Sequence, residues 1–380
     1  MSTYSFIACR AEGTIEVHAL DADNGTLRRL SVVEGVEGVN TLAFDHERAM
    51  LYAGRATQEP LLSVFTVVAG GRLEHRGDFA LPHSAAFLAF DTDAVLVASY
   101  HDSALSRVPV DADGLPCTEQ PTFTDAGAGK NIHAVATTRD GRHVYATALG
   151  SDAILAYRRG GEGEPALVRL PATSVEPAGS GPRHLVVSSD GSRVTVVTEM
   201  SGEVITFARD AETGALTLAG EVSIVSPDDD LVTGVARVPG GAPVPERPIW
   251  AAEIRQARSG SLWVTTERTT SKLTVVEAGD APRVLSSVRT EERPRAAAVA
   301  PSGDLILVGG ETSGGVSVYR VSEQGALEAT QRIETGGNPA WFAFQRGDGA
   351  GRARPPPPRR RRPCGAAPSA RSALLSGGAQ

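Results

Sequence analysis

Short apolar runs separated by polar turns dominate the chain, and residues 181–200, GPRHLVVSSDGSRVTVVTEM, are a clear example. The runs LVV and VTVV flank a central Asp-Gly pair. Because glycine tolerates the positive φ of a tight turn, this arrangement predicts a β-hairpin. Folding the segment about that turn brings position 183 roughly opposite 198. We therefore expect Arg183, His184 and Glu199 to lie together at the rim of the hairpin that faces away from the turn.

The same unit recurs along the sequence: an apolar run, a polar turn containing Gly or Asp, and two further apolar runs. Units begin near residues 41, 84, 133, 183, 251 and 295. A lone first run, PAWFAF, follows at 339, and the N-terminal stretch YSFIACRAEGTIEVHALDADNGTLRRL supplies the later strands of a seventh unit. Periods of roughly 40–50 residues with four short strands per unit are typical of propeller blades.

These repeats predict an all-β fold, a seven-bladed β-propeller over residues 3–345. The seventh blade is shared, because a C-terminal strand pairs with the N-terminal ones and so removes the open edges of the ring. Helices are not favoured, since strand periodicity dominates and no long segment has a convincing 3.6-residue apolar stripe.

Two segments depart from the repeat. Residues 226–250 are rich in Pro and Gly and predict a loop over one face of the propeller. Residues 346–380 contain PPPPRRRR followed by Ala, Gly and Ser. This composition buries too little apolar surface to fold, so we expect a disordered Pro/Arg-rich tail.

Charge is unevenly distributed along the chain. The total is −8, but the segment from Arg346 onward holds eight arginines and one aspartate, a net +7, so residues 1–345 carry −15. A body this acidic, without a basic stripe, is a poor nucleic-acid binder. No run approaches the ~18 apolar residues of a membrane helix, and the N-terminus lacks the pattern of a signal peptide. We therefore expect a cytoplasmic protein that binds neither nucleic acid nor membranes.

The predicted fold brings distant polar residues together. In a propeller all inner strands run in the same direction along the channel, so residues that begin first strands or end second strands converge on one mouth. These residues are His83, Tyr100, His133, Arg183, His184, Glu199, Glu253, Arg268, Arg295 and Glu311. Histidines, carboxylates and arginines are the residue types of a polar site, which we expect at that mouth.

Three segments carry a recognisable family pattern. They are IHAVATTRDGRHVYATALGSDAILAY, GSGPRHLVVSSDG with VVTEMSGEVITF, and AAEIRQARSGSLWVTTER. They resemble the GPRH…NEL signature and two further segments of the seven-bladed lactonase family, the bacterial 6-phosphogluconolactonase type, which includes the fungal 3-carboxy-cis,cis-muconate lactonizing enzymes. The resemblance covers nearly all of residues 3–345 and is densest from 130 to 345, although TEM stands for NEL and TER for SNR or CDR.

This resemblance implies an active cleft formed by His133, Arg183, Glu199 and Arg268. Opening a lactone needs an activated water, a clamp for the oxyanion and a proton for the leaving oxygen, which Glu, His and Arg can supply. Glu199 is the candidate base and His133 its proton partner, while the two arginines hold the substrate, a small anionic sugar lactone such as 6-phosphogluconolactone. Further rim residues expected to bind substrate are His83, His184, Glu253 and Arg295.

We expect neither a metal nor a cofactor. The three cysteines, Cys9, Cys117 and Cys364, are too scattered for a cysteine-based zinc site. A rim dominated by arginine and histidine would also repel a cation. The favoured function is therefore metal-independent lactone hydrolysis.

Simpler interpretations stay open. His133 could be only a structural hydrogen-bonding group, and Arg183 with Glu199, or Glu253 with Arg268, could be ion pairs that hold the blades together. The same residues would also suit a cycloisomerase, which closes a ring by adding a carboxylate across a double bond. A third possibility is a non-catalytic propeller that binds a protein or a small anion. Such a scaffold needs exposed aromatic anchors, of which a chain with 5% aromatic residues offers few.

Overall fold

Seven antiparallel β-sheets make up the computed structural model, which describes residues 3–117, 123–237 and 240–346. We number the sheets as blades 1–7 in chain order, and within each blade the strands are given from the central channel outward. The arrangement confirms the predicted seven-bladed propeller.

Blade 1 contains β29 (Pro339–Arg346), β1 (Thr3–Cys9), β2 (Thr14–Asp21) and β3 (Thr26–Val33). Blade 2 contains β4 (Val39–Asp45), β5 (Met50–Arg55), β6 (Leu61–Val67) and β7 (Leu73–Ala80). Blade 3 contains β8 (Phe87–Asp91), β9 (Ala94–Ser99), β10 (Ala104–Pro109) and β11 (Phe123–Ala126). Blade 4 contains β12 (Ile132–Thr137), β13 (His143–Ala148), β14 (Ala153–Arg159) and β15 (Leu167–Arg169), with β16 (Thr173–Ser174) also pairing with β14.

Blade 5 contains β17 (Pro182–Val187), β18 (Arg193–Thr198), β19 (Glu203–Arg209) and β20 (Leu216–Ser223). Blade 6 contains β21 (Ala251–Ala257), β22 (Leu262–Glu267), β23 (Lys272–Glu277) and β24 (Arg283–Arg289). Blade 7 contains β25 (Pro294–Val299), β26 (Leu305–Gly310), β27 (Gly315–Val321) and β28 (Leu327–Glu334). Short 3₁₀ helices span Ala69–Gly71, Leu149–Ser151, Pro227–Asp229 and Arg258–Gly260. Within the described ranges, no helix has both the length and the apolar character needed to cross a membrane.

Strands inside a blade are more buried than the outermost strand, which faces solvent. The second strands β5, β9, β13, β22 and β26 are buried along their whole length, because neighbouring blades pack on both faces of them. The outermost strands, such as β7 and β28, alternate between half-buried and exposed positions. Apolar clusters therefore form between neighbouring blades, as where Val264 of blade 6 and Ile306 of blade 7 belong to one cluster.

The two ends of the chain close the ring. Strand β29 pairs with β1 in an antiparallel register that places Phe342 opposite Ile7, and β29 packs against both β25 and β4. This confirms the predicted closure by N- and C-terminal strands. Arg346, which we expected to begin the tail, is the last residue of β29 and lies opposite Thr3. The rest of the predicted disordered tail, residues 347–380, lies outside the described residues.

A β-bulge recurs near the start of the inner strands and positions the site. In β17, Pro182 lies opposite Thr198 and His184 opposite Val197, which leaves Arg183 as an extra residue. The predicted hairpin is confirmed, but the register that placed 183 opposite 198 is wrong by this one residue. The registers of β4, β12 and β25 skip in the same way at Asn40, His133 and Arg295. A bulge redirects side chains and is common beside active sites.

The segment 226–250 runs between blades 5 and 6. It begins with the 3₁₀ helix Pro227–Asp229 and is held by an isolated parallel bridge between Val232 and Pro248. Two of its described residues, Arg237 and Trp250, line the cavity at one mouth of the channel. The predicted loop therefore covers the face that carries the candidate site.

Candidate active site

A polar cavity of about 260 Å³ opens at this mouth. Its size is slightly below the range of ~300–1,000 Å³ that is usual for drug-sized ligands, so it suits a small molecule. The charged residues that line it are five arginines and two glutamates: Arg10, Arg183, Arg237, Arg268, Arg295, Glu199 and Glu311. With neutral histidines, their formal charge is +3. The cavity therefore favours anions, even though the body around it is acidic.

Glu199 lies at the centre of the charged cluster. Its Oε2 is 2.7 Å from Nε of Arg183 and 2.9 Å from Nη2 of Arg268. Burial opposes ionisation of this carboxyl group, but Arg268 and Arg183 outweigh burial and hold its pKa below the ordinary value. Glu199 is therefore an ionised carboxylate that holds two guanidinium groups side by side.

The hairpin of blade 5 explains how Arg183 and Glu199 meet. The backbone N–H of Glu199 donates to the carbonyl of Gly181 at 2.7 Å, which fixes the end of one strand against the start of the other. Gly181 adopts φ +66°, and a Cβ there would lie 2.4 Å from Cε of Met200. The positive φ therefore favours glycine directly before the PRH sequence, because residues with a Cβ rarely adopt it.

Trp250 links Arg268 to the loop 226–250. The guanidinium carbons of Arg268 and Arg237 lie 3.7 and 3.5 Å from the centre of its indole ring, so the two groups must occupy opposite faces. The indole Nε1–H donates to Oε1 of Glu199 at 3.3 Å. Burial lowers the pKa of Arg268 to about 9, which leaves it charged at neutral pH. One aromatic ring therefore fixes the orientation of both arginines.

His133 is the bulge residue of blade 4 and is only 7% exposed. Its ring lies edge-on to Tyr100 at 5.6 Å and to His184 at 5.0 Å between ring centres. Its buried Nδ1 has no hydrogen-bond partner among the residues that the structure describes. Burial and the charge of Arg183 hold its pKa well below the ordinary value, so the imidazole is neutral at pH 7.

Two further charged groups of the cavity wall, Arg295 and Glu311, belong to blade 7. Burial lowers the pKa of Arg295 to about 10, so this guanidinium stays charged at neutral pH. Oε2 of Glu311 is buried and accepts no hydrogen bond within the described chain. Both groups line the cavity that a ligand would enter.

Two predicted substrate-binding residues lie below the cavity and are not part of its wall. His184 and Glu253 are each 1% exposed, and Nδ1 of His184 is 2.5 Å from Oε1 of Glu253. Glu253 is also paired with Arg255 at 2.9 Å. The alternative in which Glu253 pairs with Arg268 is therefore wrong, because Arg268 pairs with Glu199 instead.

The structure thus gathers five of the eight predicted residues around the cavity: His133, Arg183, Glu199, Arg268 and Arg295. His83 is not among the residues that line the cavity, and its Nδ1 lies 3.8 Å from Oδ2 of Asp102. Sequence reasoning missed several lining residues, namely Arg10, Asn40, His101, Arg237 and Trp250. Arg10 follows the second strand of blade 1 and Asn40 lies near the start of an inner strand, so the convergence rule itself could have found these two.

A metal site is not evident in the described part of the chain. Residues 3–117, 123–237 and 240–346 contain no group of three or more His, Cys, Asp or Glu side chains arranged to hold a metal ion.

Comparisons with known proteins agree with this architecture. Residues 1–344 match the family model described as lactonase, 7-bladed beta-propeller. The chain is 27% identical over 349 residues to the 6-phosphogluconolactonase of Pectobacterium atrosepticum, covering 90% of this chain and 98% of that protein. It is 28% identical over 338 residues to the 6-phosphogluconolactonase of Klebsiella pneumoniae, covering 86% and 94%.

Solved structures show the same fold. A protein from Lactobacillus plantarum superposes with a TM-score of 0.78 at 22% identity, covering 91% of this chain and 100% of that one. The periplasmic gluconolactonase of Pseudomonas aeruginosa superposes with a TM-score of 0.76 at 20% identity, covering 91% and 99%. Since that neighbour is periplasmic, the cytoplasmic location stays a prediction. The family match over residues 1–344 shows that this chain belongs to the lactonase family of seven-bladed β-propellers and is an enzyme of the lactonase type.

Proposed function

We propose that this enzyme hydrolyses the ring ester of a small anionic lactone, with 6-phosphogluconolactone as the first substrate to test. The observation that carries this proposal is a cavity of about 260 Å³ that combines five arginines with a neutral histidine. The names of the relatives, 6-phosphogluconolactonases, support the choice of substrate.

The proposed reaction places the carbonyl oxygen of the lactone against Arg183 and Arg268. Water adds to the carbonyl carbon and gives one proton to His133, while the guanidinium groups stabilise the oxyanion that forms. Collapse of the tetrahedral intermediate breaks the bond between that carbon and the ring oxygen. The proton held by His133 passes to the leaving oxygen, and the product is the open-chain hydroxy acid.

His133 suits the proton-transfer role because its charge state responds to substrate. Burial, and then the charge of Arg183 and the other neighbouring arginines, lowers the pKa of its imidazole. An anionic substrate adds negative charge beside the ring, and nearby negative charge favours protonated imidazole. Substrate binding would thus raise the pKa of His133 towards the pH of the reaction, where a group that must both accept and donate a proton works best.

Glu199 has a different role in this proposal from the base predicted from the sequence. Its Oε2 already contacts Arg183 and Arg268, and its Oε1 accepts from Trp250. A carboxylate with these contacts and a lowered pKa is a weak base. We propose that Glu199 instead holds the two guanidinium groups in the orientation that binds the oxyanion.

The test is a pH-stat assay of the purified enzyme with 6-phosphogluconolactone and with uncharged glucono-δ-lactone, each corrected for spontaneous hydrolysis. We expect turnover of both, with a higher kcat/KM for the phosphorylated substrate. A rate no greater than background on every lactone would overturn the proposal. In that case, phosphate binding in the cavity would point to a non-catalytic anion-binding propeller, and ring closure of a cis,cis-muconate to a cycloisomerase.

A further inference from the structure

Arg183 is held from below by a buried chain of polar groups. Its Nη1 donates to the backbone carbonyl of Ala252 at 2.6 Å and contacts Nε2 of His184 at 3.1 Å. The opposite ring nitrogen of His184, Nδ1, lies 2.5 Å from Oε1 of Glu253. That oxygen also accepts from the backbone N–H of Ile254 at 3.0 Å. These hydrogen-bonded groups thus connect the inner strand of blade 6 to the guanidinium group of Arg183 in the cavity wall.

The charge of arginine decides where the ring proton of His184 lies. A guanidinium group can only donate hydrogen bonds, so Nε2 of His184 must be the acceptor. The single proton of the neutral ring is then on Nδ1, from which it is donated to Glu253. Burial, together with the charge of Arg183, holds the pKa of His184 well below the ordinary value, which agrees with a neutral ring.

These contacts also determine which part of Arg183 faces a ligand. Nε lies against Oε2 of Glu199 in an ion pair, although its N–H does not point at that oxygen. Nη1 is occupied by Ala252 and His184. The remaining terminal nitrogen, Nη2, is left for a ligand in the cavity.

We propose that His184 and Glu253 are positioning residues, which fix the ring proton of His184 on Nδ1 so that Nε2 accepts from Arg183 and aims the guanidinium group at the oxyanion. This inference rests on the proposed lactone hydrolysis and adds to it a role for two residues that do not touch substrate. It replaces the substrate contact predicted for them from the sequence.

The first test compares two replacements of His184. His184→Leu removes the acceptor for Nη1 and one of the three donors to Oε1 of Glu253, leaving those of Ile254 and Arg255. Since a misplacement of about 1 Å can cost roughly 10²-fold in rate, we expect kcat to fall by about 10- to 100-fold. His184→Gln supplies an amide oxygen that can accept from Arg183 and an amide N–H that can donate to Glu253, so it should restore most of kcat. Values of kcat for both variants within the range of the wild type would overturn the proposal.

The chain offers a matched control in blade 1. His18 is also 1% exposed and its Nε2 lies 2.8 Å from Oε2 of buried Glu16, but neither residue lines the cavity. His18→Leu should lower the melting temperature and leave kcat per folded molecule unchanged. If His18→Leu and His184→Leu reduce kcat equally, the effect of His184 is one of stability alone and the proposal is wrong.

A second measurement is independent of catalysis and of the folding of variants. The ring nitrogens of ¹⁵N-histidine-labelled wild-type enzyme report the tautomer directly, and the spectrum of His184→Gln assigns the resonances of His184. We expect a proton on Nδ1 and none on Nε2 at pH 7; a proton on Nε2 would overturn the proposal. If the wild-type enzyme opens no lactone, the proposed function fails, and this spectrum still decides whether His184 accepts from Arg183.

Discussion

Replacing Glu199 with glutamine removes one negative charge while keeping the shape of the side chain. The carboxylate now lies 2.7 Å from Arg183 and 2.9 Å from Arg268. For charges ~4 Å apart at an effective dielectric constant of ~20, each attraction is about 4 kcal/mol. The carboxylate therefore opposes most of the repulsion that two adjacent guanidinium groups would otherwise exert on each other.

Two results should follow from Glu199→Gln. The guanidinium groups lose their common partner and no longer point together at the oxyanion; losing one such donor costs roughly 10²–10³-fold in kcat. The cavity also becomes more positive, so an anionic substrate binds no more weakly and KM does not rise. A fall in kcat without a rise in KM is the expected signature.

The assay measures kcat and KM on 6-phosphogluconolactone together with the melting temperature. Glu16→Gln is the matched control, because Glu16 is a buried carboxylate, 3% exposed, paired with His18 and Arg29, and is not among the residues that line the cavity. Both variants should be less stable, but only Glu199→Gln should lose kcat. If kcat per folded molecule differs by less than about threefold between the two variants, the role given to Glu199 is refuted.

Four further results are expected. Arg268→Ala should lower kcat by roughly 10²–10³-fold on both lactones, because it removes one of the two guanidinium groups that bind the oxyanion, and steady-state kinetics measure this. The acidic limb of kcat should lie at higher pH than that of kcat/KM, because bound anion raises the pKa of His133 above its lowered value in the free enzyme; coincident limbs would contradict this. Glu311→Gln should lower KM for the anionic lactone roughly fivefold, equivalent to about 1 kcal/mol of removed repulsion, with KM for glucono-δ-lactone as the control. Raising the salt concentration from 0.01 to about 0.15 M should increase KM for the phosphorylated lactone and leave KM for the uncharged one unchanged.

The repeating blades of the propeller could be predicted from the sequence. Six repeats with alternating turns predict the blades, and pairing of PAWFAF with the N-terminal strands predicts ring closure. The convergence of His133, Arg183, Glu199 and Arg268 follows from the same regularity, since all four lie at corresponding ends of inner or second strands. A repeating fold therefore carries information about its site as well as about its core.

The remaining features depend on tertiary contacts without a local sequence signal. A bulge at Arg183 sends this side chain into the cavity wall and leaves the adjacent His184 buried beneath it. The alternation of side chains along a regular strand does not predict which of these two residues faces the cavity. Trp250 and Arg237 come from the irregular loop 226–250, where no periodicity predicts direction. Trp250 stacks with Arg268 of blade 6 and with Arg237 of the same loop, so contacts between distant parts of the chain set their positions.

Closure of the ring by β29 also sets when the enzyme becomes active during its synthesis. Trp341 of β29 packs edge-on against Phe87 at 4.9 Å and lies 5.8 Å from the ring of His184. The innermost strand of blade 1 thus follows blades 2–7 along the chain, although its partner β1 precedes them. Pairing across so long a separation is slow, because the entropy of loop closure must be overcome before the contacts form. A nascent chain that has completed blades 2–7 still lacks the tryptophan beside His184, so catalytic competence arrives only when the two ends of the chain meet.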